Sequence, residues 1–121
     1  MSEFLEIEDK QDYVQVRYVG EFRLFEGRRT VDRINEACTK FHRSAVLLDL
    51  QSMTGNISIM DRFNIVVYGQ KMIGTVSKIA IAAQPEAGTV SRLVETMAEN
   101  RGINLKVFYE INQADSWLKA G

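Results

Sequence analysis

The chain has 121 residues, with 15 Lys+Arg against 16 Asp+Glu and a formal net charge of -1. Hydrophobic residues make up 45% and charged residues 26%, the balance of one ordinary globular domain, which excludes collagen-like, coiled-coil, disordered and disulfide-scaffold chains. The lone cysteine, Cys38, suits a reducing compartment, and no apolar run approaches the roughly 18–20 residues of a membrane span, so a cytoplasmic protein is expected.

The acidic opening sets Glu3, Glu6, Glu8, Asp9 and Asp12 against Lys10, the reverse of a signal peptide's basic start. Residues 4–8 and 13–19 are β-rich runs around a polar turn, and Val14, Val16 and Tyr18 alternate with Gln15 and Arg17. That is a hairpin whose second strand is half-buried, ended by Gly20. From 24 to 41 the period becomes helical, with Leu24, Val31, Ile34, Cys38 and Phe41 on one stripe. Gly27 weakens its first turn and sets the start between 25 and 30. Residues 45–50 form a nearly unbroken apolar strand, covered on both faces, and 51–56 a polar loop. A helix over 57–72 follows, with Ile59, Phe63, Val66 and Ile73 inward; Ser58 caps it and Asp61 reaches back. Residues 78–83 form a second buried strand, stopped by Pro85. Val90, Leu93, Val94, Met97 and Ala98 make an amphipathic helix, and Gly102 stands where a left-handed cap belongs. A strand over 104–109 and a helix over 112–118, docked through Ala114, Trp117 and Leu118, close the chain. The order β-β-α-β-α-β-α-β-α over a single domain, 1–121, predicts an α/β fold with a mixed, mainly parallel sheet flanked by helices.

Chemical motifs are sparse. Gly69 and Gly74 have phosphate-loop spacing but lack the following Lys and Ser/Thr, so they mark a helix stop. Cys38 and His42 share a helix face, yet Cys38 lies in the apolar stripe as a small buried hydrophobe, and His42 and Arg43 suit the negative helix end. No metal set or cofactor motif is present. The arginines around the first helix alternate with Glu21, Glu26, Asp32 and Glu36, which argues against nucleic acid. Gly88 and Thr89 open a helix after a buried strand, with Arg92 in its first turn, a candidate anion or ligand site. Arg101, beyond that helix, is a second candidate; its alternative is a pair with a nearby carboxylate.

Three segments carry a resemblance: Val46-Leu47-Leu48-Asp49-Leu50 with the Thr54-Gly55 loop; Met60-Asp61-Arg62-Phe63; and Ala98-Glu99-Asn100-Arg101-Gly102-Ile103 leading into Val107-Phe108 and Ala114-Asp115-Ser116-Trp117-Leu118. In this order they resemble the bacterial SpoIIAA-like family, of STAS-type fold and related to CRAL-TRIO lipid-binding domains, over about 13–118. The resemblance implies a non-enzymatic regulatory or binding module with a protein partner, or a second copy of itself as a homodimer. In anti-sigma-factor antagonists a serine at the start of the helix after the third strand is phosphorylated. Here that helix begins at Ser58, so Ser58, Asp61 and Arg62 are the implied modification or interaction site. The antagonists carry Asp-Ser-Gly, whereas here Asp61 precedes Arg62-Phe63. Asp61 and Arg62 forming a local ion pair, or ordering the Thr54-Gly55 loop, is the structural alternative. The functional alternative is a small-ligand or lipid carrier with an apolar pocket lined by Phe63, Val66, Val67, Met72, Val94 and Met97.

Overall fold

A computed structural model describes residues 5–85 and 88–120. In chain order the elements are β1 (Leu5–Asp9), β2 (Val14–Glu21), α1 (Leu24–Phe41), β3 (Ala45–Thr54), α2 (Ile59–Tyr68) with a 3-10 turn over Gly69–Met72, β4 (Lys78–Ala82), α3 (Gly88–Glu99), β5 (Leu105–Phe108) and α4 (Ile111–Lys119). This is the expected succession of strands and helices. Phe4, placed in the first strand from the sequence, lies outside the described residues.

The sheet runs β1-β2-β3-β4-β5 in space as in sequence. β1 is antiparallel to β2, and every later pair is parallel. Right-handed crossovers that always step in one direction place their helices on one face. Accordingly Val14, Val16, Val46 and Ile79 of the sheet pack with Val31, Ile34 and Cys38 of α1 and with Met72, while Val66 of α2 meets Val94 and Ala98 of α3. The opposite face is covered by α4, through Ala114 and Leu118 against Leu47, Ala80 and Ala82. Trp117 tilts against Phe108 at 5.7 Å between ring centroids. The Lys78 ammonium sits 4.6 Å over the Trp117 ring and donates to the Trp117 carbonyl at 2.6 Å, satisfying an end carbonyl of α4.

Several boundaries differ from the sequence reading, each for a tertiary reason. β2 continues through Gly20 to Glu21, and β3 runs on through 51–54, because Val19, Gly20 and Glu21 pair with Ser52, Met53 and Thr54 beyond a register shift. These polar residues have a ladder to join, and Arg17 donates to Ser52 Oγ at 2.8 Å. α1 begins at Leu24, ahead of the 25–30 window, so Gly27 lies inside its first turn. A Cβ at Gly27 would stand 2.6 Å from Ile65 Cδ1. Glycine is there to let α1 approach α2, not to start a helix.

The inward face of α2 also differs. Ile59 and Ile73 are 57% and 52% exposed; the inward residues are Arg62, Ile65, Val66 and Gly69. Gly69–Met72 winds as a 3-10 turn, which resets the phase of Ile73, and Ile59 falls in the first turn, on the outer side.

Candidate partner and ligand site

Ser58 has the extended backbone of a helix cap, and its Oγ accepts the Asp61 N–H at 3.0 Å. Ser58 is exposed, and beside it Ile59 and Met60 are 57% and 65% exposed. The start of α2 therefore presents a polar cap and two large apolar side chains to solvent. Asp61 and Arg62 make no ion pair with each other among the described residues, so the ion-pair alternative does not hold. Arg62 turns the other way.

Arg62 is half-buried, and its Nε donates to the Ile57 carbonyl at 3.2 Å. Burial draws the guanidinium below its usual pKa. It lines a half-open cavity of about 140 Å³ between the sheet and the three helices. Tyr18, Leu48, Leu50, Met53 and Ile81 of the strands form the floor, Val31, Ile34, Ile65 and Val94 part of the helical roof, and Phe22 and Ile57 come from the segments following β2 and β3. Arg62 is the one charged residue on this wall. The hydroxyls of its polar neighbours are engaged: Tyr18 donates to the Glu21 carbonyl at 2.8 Å, and Thr30 to the Glu26 carbonyl at 2.8 Å.

No protein-family model matches the chain, and no curated relative matches it. An anti-sigma factor antagonist from Mycobacterium paratuberculosis superposes with a TM-score of 0.63 at 15% identity, over 95% of this chain and 92% of its own. SpoIIAA, an anti-sigma factor antagonist solved in its unphosphorylated form, superposes with a TM-score of 0.58 at 11% identity, over 97% of each chain. The chain has the SpoIIAA fold.

That likeness bears out the STAS-type architecture that the resemblance implies. Within the SpoIIAA fold, α2 is the helix after the third strand, and Ser58, Asp61 and Arg62 all stand in its opening turn. They do not form one cluster, since Ser58 faces solvent and Arg62 faces the cavity. At the far side of the sheet's helical face, α3 opens at Gly88; the side chains of Gly88 and Thr89 lie outside the described residues. Arg92 is exposed near that end. Arg101 stands at the opposite end of α3, so the two arginines belong to separate places. Its guanidinium lies 4.7 Å from the Phe63 ring centroid, and Nη1 donates to the Met97 carbonyl at 3.0 Å. Among the described residues Arg101 pairs with an aromatic face and a carbonyl, not with the expected carboxylate.

Of the side chains expected to line a pocket, Val66, Met72 and Val94 do so; Phe63, Val67 and Met97 do not. Phe63 lies under Arg101, and Val67 is 39% exposed. As cavity lining, the sequence reading misses Ile65 and Gly69, and it places Arg62 at the interaction site and not on the cavity wall. Their i, i+3, i+4, i+7 spacing with Val66 is readable, but a stripe containing arginine and glycine does not look like a buried face. Cys38 is 1% exposed, and burial pushes its thiol up to about 11, which leaves it a packing group and a poor nucleophile. Among the described residues no three His, Cys, Asp or Glu side chains converge to hold a metal ion.

Proposed function

We propose that this chain is a non-enzymatic regulatory module of the STAS type, acting by protein–protein contact through the start of α2. The observation that carries the reading is the exposed apolar pair Ile59 and Met60 beside the capping hydroxyl of Ser58. Leaving two such side chains in water at a rigid helix end costs solvation that a partner surface recovers. Both structural neighbours are anti-sigma factor antagonists, which supports a role exercised on another protein. A cytoplasmic setting fits this role, and no helix among the described residues is long and apolar enough to cross a membrane.

Ser58 is the modification candidate of this surface. A phosphate there gains from the helix dipole and free N–H groups, yet places about two negative charges beside Ile59 and Met60, where they oppose apolar docking. The lipid-carrier alternative has the cavity in its favour, but about 140 Å³ falls short of the roughly 300–1,000 Å³ of sites for drug-sized ligands.

A photo-crosslinking side chain at position 60 tests the contact reading in a lysate of the source cell. A discrete adduct from position 60, absent from a control at the exposed Gln113 of α4, supports it. An adduct of twice the chain's mass identifies the partner as a second copy. Equal labelling at both positions, or none at either, removes the proposal. Incubation with a cognate kinase and no gain in intact mass removes Ser58 phosphorylation while leaving the contact surface standing.

A further inference from the structure

We propose that the cavity between the sheet and α1, α2 and α3 binds a small monocarboxylate, its apolar tail of about five to seven carbons filling the cavity and its carboxylate pairing with the Arg62 guanidinium. This goes beyond the partner-contact reading and does not depend on it, because the outer face of α2 and the cavity are separate surfaces.

Three observations converge. The first is size. A half-open cavity of about 140 Å³ is the size of engineered apolar cavities of about 150 Å³ that take up benzene. The second is charge. Arg62 is half-buried against an apolar wall, and among the described residues no carboxylate lies within ion-pair distance of it. Charged groups withdrawn from water are ordinarily paired, and every other ion pair of the described residues lies elsewhere. With Nε held by the Ile57 carbonyl, the two Nη groups have no acceptor among the described residues. They also keep some contact with solvent, since the one sealed, unpaired side-chain atom among the described residues is Asn35 Oδ1. The third is geometry. Nε fixes the guanidinium plane at the cavity margin, the arrangement that receives a carboxylate through two parallel N–H donors. A single cation on the wall selects a monoanion, because a dianionic phosphate would stay half-uncompensated. The lowered pKa of Arg62 reports a desolvation cost, which pairing with a bound carboxylate offsets.

Titration of the full chain with hexanoate, phenylacetate and 1-hexanol, followed by calorimetry and by amide NMR, tests the proposal. Hexanoate and phenylacetate are expected to bind and to shift the amides of Ile34, Leu48, Val66 and Ile103, with 1-hexanol about tenfold weaker. Arg62→Met is expected to weaken hexanoate about tenfold and to leave 1-hexanol unchanged. The proposal is overturned if hexanoate leaves those amides unmoved, if hexanoate and 1-hexanol bind alike, or if shifts stay on the outer face around Met60. Should Arg62→Met fail to fold, the comparison of hexanoate with 1-hexanol on the unaltered chain decides by itself. The contact surface, read by crosslinking at position 60, survives any of these failures.

Discussion

Arg62, in the first turn of α2, and Arg101, just past the end of α3, do opposite things. Arg101 sits over the Phe63 ring and ties the end of α3 to α2, whereas Arg62 lies half-buried at the margin of the apolar cavity with one nitrogen engaged. No local pattern separates them, because what differs is the surface each meets after folding. Ser58 is the contrary case: its cap is a contact over three residues, and the spacing Ser58 to Asp61 already contains it. Tyr13 shows a long-range bond hidden from the sequence. Its ring is 5% exposed, and its hydroxyl donates to Asp115 Oδ1 at 2.6 Å, across 102 residues. Burial, then this carboxylate, raise the phenol's pKa. Tyr13→Phe is expected to lower stability by about 1 kcal/mol, measured as a shift of the urea midpoint at constant slope. The cost stays at the low end because Asp115 keeps Lys119 at 3.3 Å.

Two helices end in the same way with different residues. In α3, Gly102 has φ +78, and the N–H groups of Gly102 and Ile103 donate to the carbonyls of Glu99 and Ala98. In α1, His42 has φ +57, and the N–H groups of His42 and Arg43 donate to Thr39 and Cys38. Both are Schellman caps. The glycine announces the first; the histidine conceals the second, which reads as a cation at a helix end. A side chain with a Cβ pays for the left-handed conformation, so His42→Gly is expected to raise stability by about 0.5–1 kcal/mol, seen in the thermal midpoint. Gly27 works in the opposite sense. A Cβ there would meet Ile65 Cδ1 at 2.6 Å and Phe22 Cε1 at 3.2 Å, so Gly27→Val is expected to destabilise by about 1–3 kcal/mol despite removing a helix glycine. Chemical denaturation checks it, and an unchanged midpoint would show that α1 and α2 separate easily.

Across the molecule, three carboxylates tie remote elements together. Asp9, at the end of β1, takes Arg43 Nε at 2.9 Å; Asp32 of α1 takes Lys71 at 2.7 Å and the Tyr68 hydroxyl; Asp115 of α4 takes Tyr13. Hydrogen bonds from Arg43, Lys71 and Tyr13 respectively are the largest cause holding each below the ordinary carboxylate pKa. A carboxyl whose pKa is lower folded than unfolded stabilises fully once both states are ionised and loses that contribution as it protonates. Stability is therefore expected to be flat from about pH 8 to 5 and to fall below about pH 4. Asp9→Asn should flatten that acid decline, as read by urea midpoints across the range. A decline as steep as that of the unaltered chain would show that Asp9 and Arg43 couple the hairpin to α1 too weakly to matter.

The sequence by itself determined the succession of elements, the two-sided burial of the central strands, the apolar stripe of α1, the Ser58 cap and the Gly102 cap. All of these rest on periodicity or on contacts a few residues apart, which neighbouring residue types encode directly. Only the tertiary structure decided the length of β3, the inward face of α2, the close approach at Gly27 and the half-burial of Arg62 beside the cavity. Each depends on which surface arrives from elsewhere in the chain, and the void beside Arg62 exists only where three helices fail to meet completely over the sheet.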